Sequence, residues 1–196
     1  RVWAWIDSSY TTTIVGNQSV TDPMQNATIS ISWSEDSMVE QIKAEAYAVF
    51  SSSEDGGDDS LRFYQSDEPI TEDSTYAGRP VTNVYTGFEI EDYNANVPWE
   101  NIRNSVESVV FEDTISPIST ARWFIEFEKC SYIDVTKLDT SNVTRMNDMF
   151  TVAGRDSSVT TFTIKGMENW DTSRVTDMSG MFYQLGSNAS IFNFPN

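Results

Sequence analysis

The sequence contains no histidine, and Cys130 is the single cysteine among its 196 residues. These absences exclude a catalytic triad with a histidine base, zinc sites built on histidine or on cysteine pairs, and a disulfide within the chain. Basic residues are also scarce, since 12 Lys and Arg oppose 30 Asp and Glu, which gives a formal net charge of −18. Because nucleic-acid binding depends on cations that displace counterions, this balance argues against a nucleic-acid partner.

Long apolar runs are missing as well. No stretch approaches the roughly 20 apolar residues of a membrane helix, so no insertion of this chain into a membrane is expected. The aromatic content of 13% is nevertheless generous for a disordered chain and predicts a packed core. The acids concentrate in the first half: residues 1–100 hold 18 acids and 4 bases, whereas residues 101–196 hold 12 and 8. This asymmetry suggests two regions with different surfaces.

The second half contains an internal repeat. Residues 139–150 and 171–182 are identical at eight of twelve positions, at an offset of 32. A degenerate copy at residues 119–127 aligns Trp123 with Met146, which implies an offset of 23 and an insertion in the loop at residues 153–161. Repeats of this length indicate units that bury their apolar faces against one another.

The apolar spacing within a copy predicts a short helix. Val143, Met146, Met149 and Phe150 follow the spacing i, i+3, i+6, i+7, which places them on one helical face as core residues. The second copy repeats the stripe with Val175, Met178, Met181 and Phe182. Extended segments at residues 133–138 and 162–167 precede the two stripes. Each unit is therefore expected to be a strand, a polar turn and a helix.

The segment Trp170-Asp-Thr-Ser-Arg-Val-Thr-Asp-Met-Ser-Gly-Met-Phe182 closely resembles the repeat of BspA-like leucine-rich-repeat surface proteins of bacteria. The resemblance extends over about residues 46–196. It implies a large secreted or wall-anchored protein, and some such proteins are implicated in adhesion to host proteins or to other cells. The chain departs from the family in having two clear copies of the repeat.

The first half is expected to be rich in strands. Alternating or β-branched segments at residues 2–6, 11–15 and 27–33 predict three of them. Residues 46–50 and 61–64 predict a hairpin, and residues 81–88 a further strand. We therefore expect an α+β fold: a β-rich N-terminal cap region over residues 1–104, followed over residues 105–196 by a short leucine-rich-repeat-like solenoid of strand–turn–helix units, with one degenerate and two clear copies.

Two groups of residues are candidate sites. Trp3 and Trp5 lie on one face of the first predicted strand, where they could form an aromatic platform for a ligand such as a sugar ring, or pack their indoles into the core. The acidic residues of the loop at 51–60 could hold calcium, although their order does not match a calcium-binding loop, and a solvated hairpin tip is the alternative. These candidate metal ligands are Glu54, Asp55, Asp58 and Asp59. No cofactor is otherwise expected.

The sequence favours binding over catalysis. Nothing distinguishes one carboxylate pair as catalytic among 30 acids, and Cys130 follows an apolar run typical of a buried, inert thiol. We therefore expect a non-catalytic bacterial cell-surface binding protein, an adhesin for a host or microbial surface protein, which is extracellular, secreted or attached to the cell wall. A carbohydrate-binding module that recognises a glycan and a passive surface stalk or spacer are the alternatives.

Overall fold

The computed structural model of the protein describes residues 2–7, 10–14, 19–22, 27–30, 44–90 and 96–194. The chain divides into two compact units, Arg1–Ile42 and Lys43–Asn196. The sheet of the second unit is continuous across the boundary expected at residue 104, because the strands on either side of that position pair with each other.

The first unit contains two antiparallel strand pairs. β1 (Val2–Asp7) pairs with β2 (Tyr10–Ile14), and β3 (Ser19–Asp22) pairs with β4 (Ala27–Ser30). The three strands predicted here from alternating and β-branched residues are confirmed at residues 2–6, 11–14 and 27–30. β3 was not predicted, because its four polar and β-branched residues give no clear alternation.

The second unit contains a seven-stranded mixed sheet. Its order is β13-β12-β11-β10-β6-β5-β9, in which β6 and β10 to β13 run parallel and β5 is antiparallel to both of its neighbours. The predicted hairpin is confirmed as β5 and β6. The seven strands are β5 (Glu45–Ser51), β6 (Ser60–Ser66), β9 (Asn83–Tyr85), β10 (Ser108–Phe111), β11 (Tyr132–Asp134), β12 (Thr161–Lys165) and β13 (Ile191–Asn193), and β7 (Ser74–Tyr76) and β8 (Arg79–Val81) form a separate hairpin.

The expected α+β fold with a leucine-rich-repeat-like solenoid of strand–turn–helix units is wrong. Residues 143–150 and 175–182 are successions of turns, and the helices among the described residues are 3-10 helices of three residues each. A left-handed residue interrupts the backbone every few positions, at Asp148, Val152, Gly180 and Gln184. An α-helix cannot accommodate such residues, and stacked turns with a period near four display the same apolar spacing as a helix.

The turn segments form three layers that stack on one another. We call residues 118–127 the first layer, residues 143–154 the middle layer and residues 175–186 the end layer. Alternate N–H groups of one layer donate to carbonyl oxygens of the next, at N···O distances of 2.8–3.0 Å. These bonds run from Thr120, Arg122, Phe124 and Glu126 to Arg145, Asn147, Met149 and Thr151, and from Met146, Asp148, Phe150 and Val152 to Asp177, Ser179, Met181 and Tyr183.

This ladder corrects the alignment of the degenerate copy. The N–H of Thr120 bonds to the middle layer as the N–H of Met146 bonds to the end layer, so these two residues are equivalent at an offset of 26 rather than 23. Phe124, not Phe127, is therefore the counterpart of Phe150. The contacts between aromatic rings support this alignment. The ring centre of Phe124 lies 5.7 Å from that of Phe150, which lies 5.8 Å from that of Phe182.

The main apolar core extends through the second unit, and a smaller buried cluster comprises Tyr47, Val49, Tyr64, Ile70 and Val81. An aromatic cluster fills the main core beside β6, with Phe63 in edge contact with Trp99 at 5.4 Å and stacked on Trp123 at 5.7 Å. The indole N–H of Trp99 donates to the carbonyl of Trp123 at 2.6 Å, which satisfies a donor that burial would otherwise leave unpaired. Cys130 is fully buried, as predicted, and desolvation raises the pKa of its thiol to about 12.

Candidate functional site: the exposed face of the end layer

The apolar stripe is buried in the first clear copy and largely exposed in the second. In the middle layer Val143, Met146, Met149 and Phe150 are completely buried, which confirms their prediction as core. Of the stripe residues in the end layer only Met181 is buried, whereas Met178 is 44% and Phe182 45% exposed. The prediction of these two as core residues is therefore wrong. The reason is position: among the described residues, no further layer covers the end layer.

An open cleft lies against this exposed face, and its volume is about 680 Å³. Apolar and aromatic side chains from the end layer, the preceding 3-10 helix and the segment after β13 form its walls. Its principal lining residues are Met167, Trp170, Met178, Phe182, Tyr183 and Phe194. Clefts of this size and character are typical of sites that bind other molecules.

The aromatic rings of the cleft are held by the layers beneath. Phe182 is stacked on Phe150 with the planes 6° apart, and the ring of Phe194 meets Phe182 edge-on at 5.8 Å. Trp170 is stacked on Phe150 at 6.3 Å. Its indole N–H is shielded from solvent and has no acceptor among the described residues. The rings are thus positioned before any ligand arrives, which reduces the entropy cost of binding.

A glycine is required where the end layer approaches the middle layer. Gly180 has a φ of +66°, and a Cβ atom at this position would meet the carboxylate of Asp148. Asp148 itself occupies the equivalent left-handed position of the middle layer, with a φ of +56°. The substitution of glycine for aspartate between the two copies therefore keeps the backbone conformation and allows closer contact.

Charged groups at the rim of the end layer are already paired. Asp177 accepts hydrogen bonds from the backbone N–H and the hydroxyl of Ser179, and it faces Arg145 at 4.0 Å. These hydrogen bonds, with the Arg145 guanidinium, hold the pKa of Asp177 below its usual value. Arg174 donates to the side chain of Asn142 at 3.2 Å. The charged side chains Asp177 and Arg174 at the edge of the cleft are consequently engaged in hydrogen bonds or ion pairs.

The candidate acidic loop is tied into the hairpin that carries it. Asp58 pairs with Arg62 at 3.3 Å and with Arg79. Burial tends to raise the pKa of Asp58, but hydrogen bonds from Ser60 and Arg79 outweigh it and lower the pKa. Asp59 accepts from the N–H of Ser53 at 2.8 Å, and Asp55 accepts from the hydroxyl of Thr82 at 2.7 Å.

The acidic side chains of this loop form hydrogen bonds and ion pairs with different groups of the protein. Within the described part of the chain, no group of three or more acidic or cysteine side chains is arranged to hold a metal ion. The assignment of calcium ligands therefore stays a prediction from the sequence, for Glu54, Asp55, Asp58 and Asp59. Trp3 and Trp5 lie on β1, opposite Thr13 and Thr11. Their side chains lie outside the described part of the structure, so the aromatic platform also stays a prediction.

The exposed face itself was missed by sequence reasoning. The repeat pattern assigns the same environment to every copy, and it gave Met178 and Phe182 the role that only Met146 and Phe150 have. The residues of one copy carry no signal for this difference, because burial in a stack of repeats depends on the neighbouring layers. Phe192 is also exposed, and its ring lies 5.9 Å from that of Phe194, so it extends the patch.

Comparison with models of protein families gives a match over the three layers. Residues 118–195 match the model of a family described as "Mycoplasma protein of unknown function, DUF285". The match contains all three layers and covers less than half of the chain. No curated protein and no solved structure matches the chain. Among the described residues, no helix has the length and apolarity needed to cross a membrane.

Proposed function

We propose that the protein is a non-catalytic bacterial cell-surface protein, exposed outside the cell, that binds a protein on a host or microbial surface. The observation that carries this proposal is the aromatic face of the end layer. Met178, Phe182 and Phe194 are each nearly half exposed and Tyr183 is 61% exposed, around one cleft. Contiguous exposed patches of large apolar side chains mark interaction surfaces in soluble domains, and aromatic side chains dominate the binding energy of protein interfaces.

The repeat sequence also favours a surface location. The segment from Trp170 to Phe182 resembles the repeat of BspA-like bacterial surface proteins, some of which are implicated in adhesion to host proteins or other cells. The family that matches residues 118–195 has no described function and adds no competing activity. A high negative charge keeps an exposed protein soluble in spite of its apolar patch.

The absence of catalysis is part of the proposal. The thiol of Cys130 is fully buried and its pKa is raised to about 12, so it supplies no thiolate nucleophile at neutral pH. Carboxylates with shifted pKa values, such as Asp139 and Asp156, are held low by hydrogen bonds and are poor general acids. Both features suit a structural role.

The test is a binding measurement with the purified chain against immobilised host matrix proteins and a glycan array. A protein that binds the chain should bind the Phe182→Asp variant at least about tenfold more weakly, because a carboxylate would occupy the centre of the patch. The matched control is Ile90→Asp, since Ile90 is 74% exposed and does not line the cleft. It should bind like the parent.

Three results would contradict the proposal. The first is binding by the Phe182→Asp variant as tight as that of the parent, which would show that the end layer does not contribute to binding. The second is binding to glycans alone, which would favour a carbohydrate-binding module. The third is a failure to bind any protein tested, which would favour a passive stalk. Melting temperatures of both variants should accompany the binding data, so that unfolding is not mistaken for lost affinity.

A further inference from the structure

Residues 67–81, which we call the flap, cross one face of the sheet at β5 and β6. The chain leaves β6 at Ser66, whose partner in β5 is Glu45, and it re-enters the sheet at Asn83, whose partner is Phe50 near the other end of β5. The flap contains the hairpin of β7 and β8, and these two strands pair only with each other. Within the described residues, no backbone–backbone hydrogen bond joins the flap to the seven-stranded sheet.

The flap covers the smaller buried cluster, which is separate from the main core. Side chains alternate along β5, so that Tyr47 and Val49 face the flap, whereas Ala48 between them faces the main core. The cluster is completed by one residue of β6 and three residues of the flap, which are Tyr64, Ile70, Tyr76 and Val81. The backbone N–H of Ile70 also donates to the hydroxyl of Tyr47. The main core contains no residue of the flap, so its packing does not depend on the flap.

Side chains supply the polar contacts between the flap and the sheet. The hydroxyl of Ser51, at the end of β5, donates to the carbonyl of Pro80 at 2.7 Å. The N–H of Val84 in β9 donates to the carboxylate of Glu72 over 3.4 Å. These are single bonds, whereas seven residue pairs join β5 to β6. The flap is therefore attached more weakly than the strands beneath it.

The hairpin of the flap is also held by an ion pair. Arg79 pairs with Asp58, which lies in the loop between β5 and β6. Asp58 pairs in addition with Arg62 at 3.3 Å, and Arg62 pairs with Glu112, which follows β10. Movement of the flap away from the sheet would remove Arg79 and leave Asp58 paired with Arg62. A carboxylate that keeps a partner in both states avoids the large cost of an unpaired charge.

We infer that the flap opens as one unit while the seven-stranded sheet stays folded, and that the ion pair of Arg79 with Asp58 is the latch that keeps it closed. Segments with few buried contacts open locally at a lower free energy than global unfolding requires, as cooperative units. The open form uncovers Tyr47, Val49 and Tyr64, which the closed form buries. High salt favours the open form, because it screens an ion pair between partly exposed groups.

The experiment measures opening by the labelling of an introduced thiol. Cys130 is fully buried and should not react with DTNB in the folded protein, so the parent provides the background. Val49→Cys places a thiol beneath the flap, and Val109→Cys places one in the main core. We expect Val49→Cys to react at least about tenfold faster than Val109→Cys in the absence of urea, because local opening exposes it. Its rate should change little at low urea, since local opening exposes little surface.

A second reporter tests whether the flap moves as one unit. Val81→Cys lies on the flap and is buried against the same cluster. A single opening exposes both sides of the contact, so Val81→Cys and Val49→Cys should react at rates within about threefold of each other. Fast labelling of Val81→Cys with slow labelling of Val49→Cys would show fraying of the hairpin alone and would overturn the inference. Melting temperatures confirm that each variant is folded.

The latch is tested in the Val49→Cys background. Arg79→Gln should accelerate labelling about threefold, as expected for an ion pair between partly exposed groups. Arg103→Gln is the matched control, because it removes an ion pair with Glu100 and Glu126 that lies outside the flap, and it should leave the rate unchanged. Raising the salt concentration from about 20 to 500 mM should accelerate labelling with Arg79 present and have less effect in Arg79→Gln.

Two further results would overturn the inference. Equal labelling of Val49→Cys and Val109→Cys, with the same steep dependence on urea, would show that the cluster is exposed by global unfolding alone. Labelling of Val49→Cys that is the same with Arg79→Gln as without it would show that the ion pair is not the latch.

Discussion

The middle and end layers contain nearly the same sequence but have different surroundings. Met146 and Phe150 are fully buried, whereas Met178 and Phe182, at the same positions of the repeat, are nearly half exposed. The difference arises because the middle layer has a neighbour on both sides and the end layer, among the described residues, on one. Burial here is a property of a residue's place in the stack. The same side chain is therefore buried in one copy and exposed in the next.

Replacing methionine by aspartate should give the largest difference in the free energy of unfolding between the middle and end layers. Met146→Asp would bury an unpaired carboxylate and should destabilise the protein by at least about 3 kcal/mol, a large part of the stability of an ordinary domain. Met178→Asp should cost less than about 1 kcal/mol, because solvent reaches the new carboxylate. Urea denaturation followed by tryptophan fluorescence measures both values. Equal losses would show that the end layer is covered in solution.

Truncating the phenylalanines gives a second contrast between the layers. Phe150→Ala leaves a cavity between Phe124 and Phe182 and should cost about 3–5 kcal/mol. Phe182→Ala removes a ring that packs on one face only and should cost about 1 kcal/mol. The loss of stability is measured from the shift in the midpoint of urea denaturation, with the same m-value for the parent and the variants. A cost for Phe182→Ala as large as that for Phe150→Ala would contradict the exposed environment of the end layer.

Parts of this organisation could be predicted from the sequence. Alternating or β-branched residues predicted strands at β1 and β2, though not their pairing, and the hairpin of β5 and β6 was predicted as well. The repeat predicted that its units pack together and that Met146 and Phe150 lie in the core. These successes depend on local patterns, which each segment carries in its own residues.

The rest depended on information outside any one segment. The stripe at residues 143–150 suited a helix as well as a stack of turns, and only the hydrogen bonds to residues 177–183 separate the two. The left-handed conformation of Val152 is unusual for a β-branched residue and has no clear signature in the sequence. The exposure of Phe182 depends on what covers the layer, which its own repeat does not encode.

The glycine at the contact between the layers should show an intermediate effect. Gly180→Ala places a Cβ at a φ of +66° and against the carboxylate of Asp148, and should cost about 1–2 kcal/mol. Gly56→Ala is the matched control, because its φ is also left-handed, at +87°, and a Cβ there has no neighbour within 4 Å. The excess cost at Gly180, measured by thermal unfolding, isolates the contact with the middle layer. Equal costs at the two sites would mean that Asp148 moves aside freely.

The smallest contrast is expected in the dependence of stability on pH. The Ser141 N–H and then the Ser116 hydroxyl hydrogen-bond Asp139, at 3.0 Å and 2.9 Å, and lower its pKa. The pKa of the fully exposed Asp171 is lowered by Ser173 alone among nearby hydrogen-bond donors.

A carboxylate with a lowered pKa in the folded state stabilises the protein above its unfolded pKa of about 3.9, and this contribution is lost as the pH falls through the folded value. Asp139→Asn should therefore reduce the fall in melting temperature between about pH 5 and pH 3, and Asp171→Asn should reduce it less. Both comparisons are made at constant ionic strength. A larger effect at Asp171 would indicate that the hydrogen bond from Ser116, which links Asp139 to the segment before the first layer, contributes nothing to the stack.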